Sequence, residues 1–213
     1  MGKIYNSVFL FVVILLGSCS TEPSNGPLGE AIPLKIGYTW IYQSKMFDSA
    51  DVFIGQWIDT TKVVADTTIN NERWFLIVTK FDVSAVVYPA RNTPTGYCQF
   101  DRRPLIHSSV LNFKYPTKSG EVFTINFEFK DSIWTFQRTI TTTDTNIVVP
   151  AGIYSCLLYY NPRKSLDSFA EVGEHEFFIG VGTGIVRENY FRTAFSGRRY
   201  LWAQSELTKT LFQ

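Results

Sequence analysis

The residues Glu174-His175-Glu176 combine two carboxylates with an imidazole, the side chains most often used for acid–base chemistry. On an extended strand, successive side chains point to opposite faces, so the two carboxylates share one face and the imidazole lies on the other. A general base and its partner must converge on one reacting atom. This spacing therefore favours a solvated strand edge over a catalytic cluster.

Serine, histidine and glycine elsewhere do not form a recognised catalytic or nucleotide-binding pattern. No serine lies in a Gly-x-Ser-x-Gly elbow, and adjacency alone does not make His107 a base for Ser108 or Ser109. In the glycine-rich run 180–184, the third glycine comes two residues after the second, whereas a dinucleotide-binding fingerprint needs three. The run predicts a bend between two strands, and no catalytic residue is assigned.

Cys19 is the cysteine with the clearest chemical context, because it ends the sequence Leu16-Gly17-Ser18-Cys19 after an apolar run that begins at Val8. With Lys3 ahead of it, this segment has the three parts of an export signal. Leucine three positions before a cysteine, followed by two small residues, is the lipobox pattern, which predicts cleavage before Cys19 and lipidation of its thiol. The apolar run is far shorter than the roughly 20 residues of a membrane-spanning helix.

The lipobox divides the chain into a signal peptide (1–18), a flexible tether (19–30) and one folded domain (31–213). The tether is expected to be flexible because its residues are small, polar and rich in turn formers. Two or more acyl chains such as palmitate anchor a protein stably, since each buried methylene adds about 0.8 kcal/mol. We therefore expect a cell-envelope protein bound to a membrane by its lipid. Ser20 does not look like an inner-membrane retention signal, so the outer membrane is expected, in either its periplasmic or its surface-exposed leaflet.

Charge and cysteine content exclude several classes of function. The full chain has 20 basic and 19 acidic residues, and removal of the signal peptide takes away only Lys3, so the mature chain is neutral and has no basic field for nucleic acid. Cys98 and Cys156 remain as a pair in an oxidising compartment. They either form a disulfide or stay as two separate buried thiols in strand-like segments. Two cysteines and two distant histidines, His107 and His175, do not supply a metal site, and no cofactor is predicted.

The sequence predicts an all-β domain that positions these residues. Aromatic residues make up 16% of the chain, and the segment 122–130 alternates strictly between apolar and polar residues, as in a half-buried antiparallel strand. Asn70-Asn71 is typical of a hairpin turn, Pro89–Gly96 of a loop, and Asp144–Asn146 of a turn. We expect a single antiparallel domain of about 11 to 13 strands, built either as a curved sheet closing towards a barrel or as a β-sandwich.

Three motifs resemble those of a group of bacterial envelope lipoproteins, of the Bacteroidetes type, that has no assigned activity. The residues 33–42 (PLKIGYTWIY) match an opening P-L-x-x-G-x-x-W-x-Y, and 149–156 (VPAGIYSC) match V-P-A-G-x-F/Y-x-C. The run 180–188 (GVGTGIVRE) is similar to G-V-G-x-V-x-x-E with a Thr-Gly insertion. The resemblance implies a lipoprotein of the envelope but no catalytic residue.

Two hypotheses for the function follow. The first is a non-catalytic binding or interaction module for a hydrophobic ligand or for another envelope protein, because aromatic faces line ligand cavities inside curved sheets as well as filling cores. A bound ligand would then contact the aromatic face of residues 122–143. The alternative is an envelope hydrolase of glycan or peptide, which requires polar groups that converge in a cleft, such as Asp101 with His107 or Glu174 with Glu176.

Overall fold

The computed structural model describes residues 30–82, 84–100, 109–129, 132–162 and 173–212. In these ranges the regular secondary structure consists of β-strands, and no helix among them is long and apolar enough to cross a membrane. The strands are β1 (Thr39–Phe47), β2 (Phe53–Ile69), β3 (Glu72–Lys80), β4 (Ala85–Thr93), β5 (Gly96–Phe100), β6 (Ser109–Lys114), β7 (Val122–Phe129), β8 (Ser132–Val149), β9 (Gly152–Asn161), β10 (Glu174–Gly180), β11 (Gly184–Thr193) and β12 (Arg199–Leu211).

All twelve strands belong to one antiparallel sheet in the order β6-β5-β4-β3-β2-β1-β12-β11-β10-β9-β8-β7. Every neighbouring pair is consecutive in the chain except β1 and β12, which join the first strand to the last. The edge strands β6 and β7 are consecutive in sequence, and the sheet curls into a nearly closed, barrel-like shape. The predicted all-β antiparallel domain is confirmed, and the barrel-like sheet is the alternative that the protein adopts.

Local sequence patterns account for several strands and turns. In β7, Phe123 and Ile125 are buried while Thr124 and Asn126 are exposed, as the alternation predicts. Asn70 and Asn71 have φ angles of 53° and 62°, the left-handed conformation that asparagine tolerates in a two-residue hairpin turn.

The loop predicted over Pro89–Gly96 is confined to a turn at residues 94 and 95, and the turn predicted at Asp144–Asn146 is wrong. Pro89 lies inside β4, opposite Leu76 of β3. On the other side of β4, β5 pairs only from Ala90 onward. The proline, which has no N–H to donate, therefore interrupts no hydrogen bond to β5. The segment 144–146 continues β8 as a bulged stretch, in which the Asp144 carboxylate accepts a hydrogen bond from Ser155 of β9 at 3.0 Å. The glycine-rich run 180–184 is a bend between β10 and β11, as expected.

The segment that precedes β1 packs against the core at the end of the barrel where β10 turns into β11. Ala31, Ile32 and Leu34 are buried in the main hydrophobic core. The carbonyl of Glu30 accepts a hydrogen bond from the N–H of Gly182 at 2.9 Å, so this residue, assigned to the end of the tether, contacts the folded domain. We call this end of the barrel the base. The signal peptide, the lipobox and most of the tether lie outside the described residues.

The two remaining cysteines lie in different parts of the core. Cys98 packs with Trp74 and Phe100 in a small cluster, whereas Cys156 belongs to the main core. Both are free thiols, so the disulfide alternative between Cys98 and Cys156 is not formed.

Candidate functional site

The structure separates the residues of Glu174-His175-Glu176 onto two faces of β10, as the strand geometry predicts. Arg199 contacts both carboxylates, with nitrogen–oxygen distances of 2.6 Å to Glu174 and 3.5 Å to Glu176. His175 lies on the other face, where its ring packs against Tyr190 at 4.2 Å between centroids. The two carboxylates therefore form an ion-pair cluster with one arginine rather than a catalytic pair.

The other candidates from the sequence lie mostly outside the described residues. Asp101, His107 and Ser108 belong to the segment 101–108, and only Ser109 is described, as an exposed residue at the start of β6. No group of three histidine, cysteine or acidic side chains that could hold a metal occurs within the described ranges. On the face of residues 122–143 that was expected to contact a ligand, Phe123, Ile125 and Ile140 are buried in the core, and the side chains of residues 127–134 lie outside the described part of the chain.

The site that the fold does create is a cavity of about 210 Å³ inside the barrel. Its walls combine aromatic rings with polar groups from both halves of the sheet. The aromatic members are Trp40, Tyr42, Phe81, Tyr88, Tyr97 and Phe113; the polar members are Asp59, Thr61, Thr79, Gln99, Glu188 and Ser205; and the aliphatic members are Ile32, Ile77 and Ile185.

Strand register brings the polar groups of this cavity together. Asp59 of β2 pairs with Tyr42 of β1, and Glu188 of β11 pairs with Ser205 of β12. Residues directly opposite one another in an antiparallel ladder point to the same face. The pairing of β1 with β12 then joins the two pairs, because the hydroxyls of Ser44 and Ser205 are 2.6 Å apart.

Asp59 is a buried carboxyl group of which one oxygen is bound. Its Oδ2 accepts hydrogen bonds from Ser44 Oγ at 2.5 Å and from Trp57 Nε1 at 3.0 Å. Its Oδ1 has no hydrogen-bond partner in the part of the chain that the structure describes. Burial raises the pKa of Asp59 above its ordinary value, and the two hydrogen bonds to Oδ2 oppose that rise.

Glu188 is the second carboxyl group of the cavity. About 35% of its side-chain surface is accessible, and this surface faces the cavity that the side chain lines. Burial within the barrel raises its pKa to about 7, with Arg138 opposing the rise and Asp59 adding to it. At neutral pH this group therefore exchanges its proton readily, the property that general acids and pH-dependent binding sites use.

Arg138 is a buried cation that acts electrostatically on Glu188, and its guanidinium is held by other groups. It lies over the rings of Phe113 and Phe177, each at 4.8 Å. Its Nε donates to Asn161 Oδ1 at 2.5 Å, and Nη1 donates to the carbonyl of Asn112. Burial lowers the pKa of Arg138 to about 10, which keeps it charged at neutral pH.

His175 is neutral at neutral pH. Burial, followed by the charge of Arg138, lowers its pKa to about 4. Its Nδ1 lies 3.8 Å from Glu188 Oε1, so the contact between them is not an ion pair at that pH.

Three tyrosines supply the remaining polar lining. The Tyr42 hydroxyl donates to the carbonyl of Ile185 at 3.1 Å, and the Tyr88 hydroxyl is hydrogen-bonded to Thr79 and Tyr97. Burial raises the pKa of Tyr42, Tyr88 and Tyr97, so all three are neutral phenols. The cavity thus offers aromatic faces and two carboxyl groups to a small ligand.

The sequence analysis assigned no role to Asp59 or to Glu188, although Glu188 is the last residue of the run 180–188. The alternation of side chains along a strand could have indicated them. Asp59 lies an even number of residues from the buried Val63, and Glu188 from the buried Val186, so on a regular strand each acid points to the same face as a fully buried valine. An acid on the buried phase of a strand must be paired, protonated or turned towards a cavity.

No family model matches the sequence, and no curated protein matches it. Two solved structures share the fold. A protein of Bacteroides fragilis, inferred to be exported and described as having a YmcC-like fold, aligns with a TM-score of 0.56 at 11% identity over 85% of this chain and 98% of its own. A protein of Parabacteroides distasonis, inferred to be a lipoprotein, aligns with a TM-score of 0.51 at 11% identity over 86% of this chain and 99% of its own. At this identity the likeness shows the fold alone.

Proposed function

We propose that this protein is a lipid-anchored protein of the cell envelope that binds a small molecule inside its barrel and does not catalyse a reaction. The cavity is the observation that supports this function. It lies inside the sheet, about 210 Å³ in volume, and combines six aromatic residues with a few convergent polar groups. A concave site of this composition is typical of ligand-binding pockets.

The lipobox at Leu16-Gly17-Ser18-Cys19 supports the envelope location. The two proteins of similar fold are inferred to be an exported protein and a lipoprotein, which agrees with the same location. We further propose attachment to the outer membrane through the acylated Cys19. We also propose that the base of the barrel faces the membrane, because Glu30 contacts this end and is only eleven residues from Cys19 in the sequence.

A hydrolase is the second candidate, because Asp59 and Glu188 line one cavity and the pKa of Glu188 is about 7. Two carboxyl groups in one site are the arrangement that glycoside hydrolysis uses. The volume of about 210 Å³ argues against it, since it is small for several linked units of a glycan or peptide chain. Release of sugar or peptide from envelope polymers, abolished by Glu188→Gln, would favour the hydrolase.

Native mass spectrometry of the lipoprotein, expressed with its own signal peptide and purified from the envelope fraction in detergent, tests the binding function. We expect a bound mass of a few hundred daltons that is extracted by solvent. Thr79→Phe places a ring into the cavity and should abolish that mass. Lys80→Phe places the same ring on the exposed side of the same strand and should retain it. An empty wild-type protein, or equal retention in both variants, would contradict a ligand in this cavity.

A further inference from the structure

We propose that the ligand of the cavity is a small organic cation with an ammonium group. This inference rests on the proposed function, since it names the chemical class of what the cavity holds. It follows from the charge of the lining, from one unsatisfied carboxylate oxygen and from the aromatic walls.

The described lining residues include two acids, Asp59 and Glu188, and no lysine, arginine or histidine. In the low-dielectric interior of a protein, a carboxylate is costly unless a positive charge or several hydrogen bonds compensate it. A ligand that brings a positive charge into the cavity removes this cost. A neutral ligand leaves it in place, and an anionic ligand increases it.

Asp59 provides a specific place for such a charge. The residue is only 7% exposed and lines the cavity, and its Oδ1, itself shielded from solvent, has no hydrogen-bond partner within the described chain. Oδ2 is held in place by Ser44 and Trp57, which fixes the direction of the free oxygen. The positive charge of an ammonium group in the cavity compensates this buried carboxylate through space, without displacing a protein contact.

The aromatic walls suit the same ligand. The faces of Trp and Tyr rings attract cations, and aromatic cages around quaternary ammonium groups use this attraction. Trp40, Tyr42, Tyr88 and Tyr97 line the cavity together with both acids. The Tyr42 hydroxyl bonds to a backbone carbonyl and those of Tyr88 and Tyr97 to protein side chains, so the phenol oxygens are already engaged.

The charged groups around Glu188 set a pH dependence for this binding. Asp59 of β2 and Arg138 of β8 act on it electrostatically, and neutral His175 of β10 lies beside it. Tyr42 of β1 and Tyr88 of β4 are protonated phenols that face the same group. Arg138 does not line the cavity. Its guanidinium contacts the rings of Phe113 and Phe177 and donates hydrogen bonds to the Asn161 side chain and the Asn112 carbonyl. Because the pKa of Glu188 is about 7, a permanent cation should bind more tightly as the pH rises through that value, by about tenfold between pH 6 and pH 8.

Three probes of one shape test the class of ligand: tetramethylammonium, neutral tert-butanol and anionic pivalate. Each is titrated by calorimetry into the full-length protein in phospholipid nanodiscs. We expect tetramethylammonium to bind at least about tenfold more tightly than the other two. Asp59→Asn should remove this preference, while Asp66→Asn, which changes an exposed acid of the same strand, should keep it. Glu188→Gln provides a second variant if Asp59→Asn does not fold, and it should abolish the pH dependence.

The outcomes separate this inference from the proposed function. Equal or tighter binding of tert-butanol or pivalate, with an Asp59→Asn variant that behaves like the wild type, overturns the cation and leaves a ligand-binding cavity. Absence of binding by all three probes also overturns the cation. The proposed function then depends on whether Thr79→Phe abolishes the mass that co-purifies with the wild-type protein.

Discussion

Replacement of Glu188 by glutamine should change how the stability of the protein depends on pH. The pKa of Glu188 rises from its ordinary value of 4.5 to about 7 because the carboxyl group is buried in the barrel. The folded protein therefore binds more protons than the unfolded chain between these two values, so the free energy of unfolding of the wild type falls as the pH rises from 4.5 to 7. Glu188→Gln has no proton to lose and lacks this fall.

The magnitude follows from the width of that pH interval. At about 1.4 kcal/mol per pH unit, the interval from 4.5 to about 7 sets a ceiling of about 3 kcal/mol. About 35% of the side chain is accessible through the cavity. Solvent there screens the charge, so we expect about 1 to 2 kcal/mol. The variant should gain this amount relative to the wild type between pH 4.5 and pH 8.

Urea unfolding of residues 20–213, followed by tryptophan fluorescence across this pH range, measures the effect. The quantity of interest is the difference between the free energies of unfolding of the variant and the wild type, because contributions from other groups cancel in it. Asp82→Asn, which changes an exposed acid after β3, is the matched control and should give a constant difference. A difference for Glu188→Gln that stays constant within about 0.5 kcal/mol would refute the assignment of a raised pKa to this group.

Three further predictions concern the core, the turns and the cysteines. Ile77→Ala should lower the free energy of unfolding by about 2 to 4 kcal/mol, measured in urea, because this side chain is only 1% exposed; a loss below about 1 kcal/mol would contradict its place in the core. Gly96→Ala should destabilise far more than Gly120→Ala in thermal unfolding, because an added methyl meets a backbone carbonyl at the first position and open space at the second; equal shifts would contradict this. Cys98 and Cys156 should resist alkylation in the folded protein, since both are buried and burial raises the pKa of Cys156 to about 12; in denaturant without reductant both should react, and a failure to react there would indicate a disulfide.

The fold class could be predicted from the sequence because strand periodicity is local. The alternation of residues 122–126 and the pair Asn70-Asn71 gave a strand and a turn from a few neighbouring residues. Pro89 and Asp144 were misassigned because their environment is not local. Pro89 is tolerated where β5 does not yet pair with β4, and Asp144 is held in a bulge by Ser155 of the next strand.

The cavity could not be predicted for a similar reason. Asp59 and Glu188 are far apart in sequence, and they face one another only because β1 pairs with β12. No short motif records that pairing. Composition did show the aromatic surplus, but not which rings line a cavity and which fill the core.

The pairing of β1 with β12 also has a consequence for the order in which the protein can be completed. A chain grows from its N-terminus, so β1 emerges early, whereas its second partner comprises the residues Arg199–Leu211 at the other end. Strand β12 lies between β1 and β11 in the sheet. Until it is made, β1 and β11 each have one edge without a partner strand, and such edges promote aggregation. A chain that stops before β12 would keep both edges open, so the last strand of the sequence is also the one that allows the barrel to be held together.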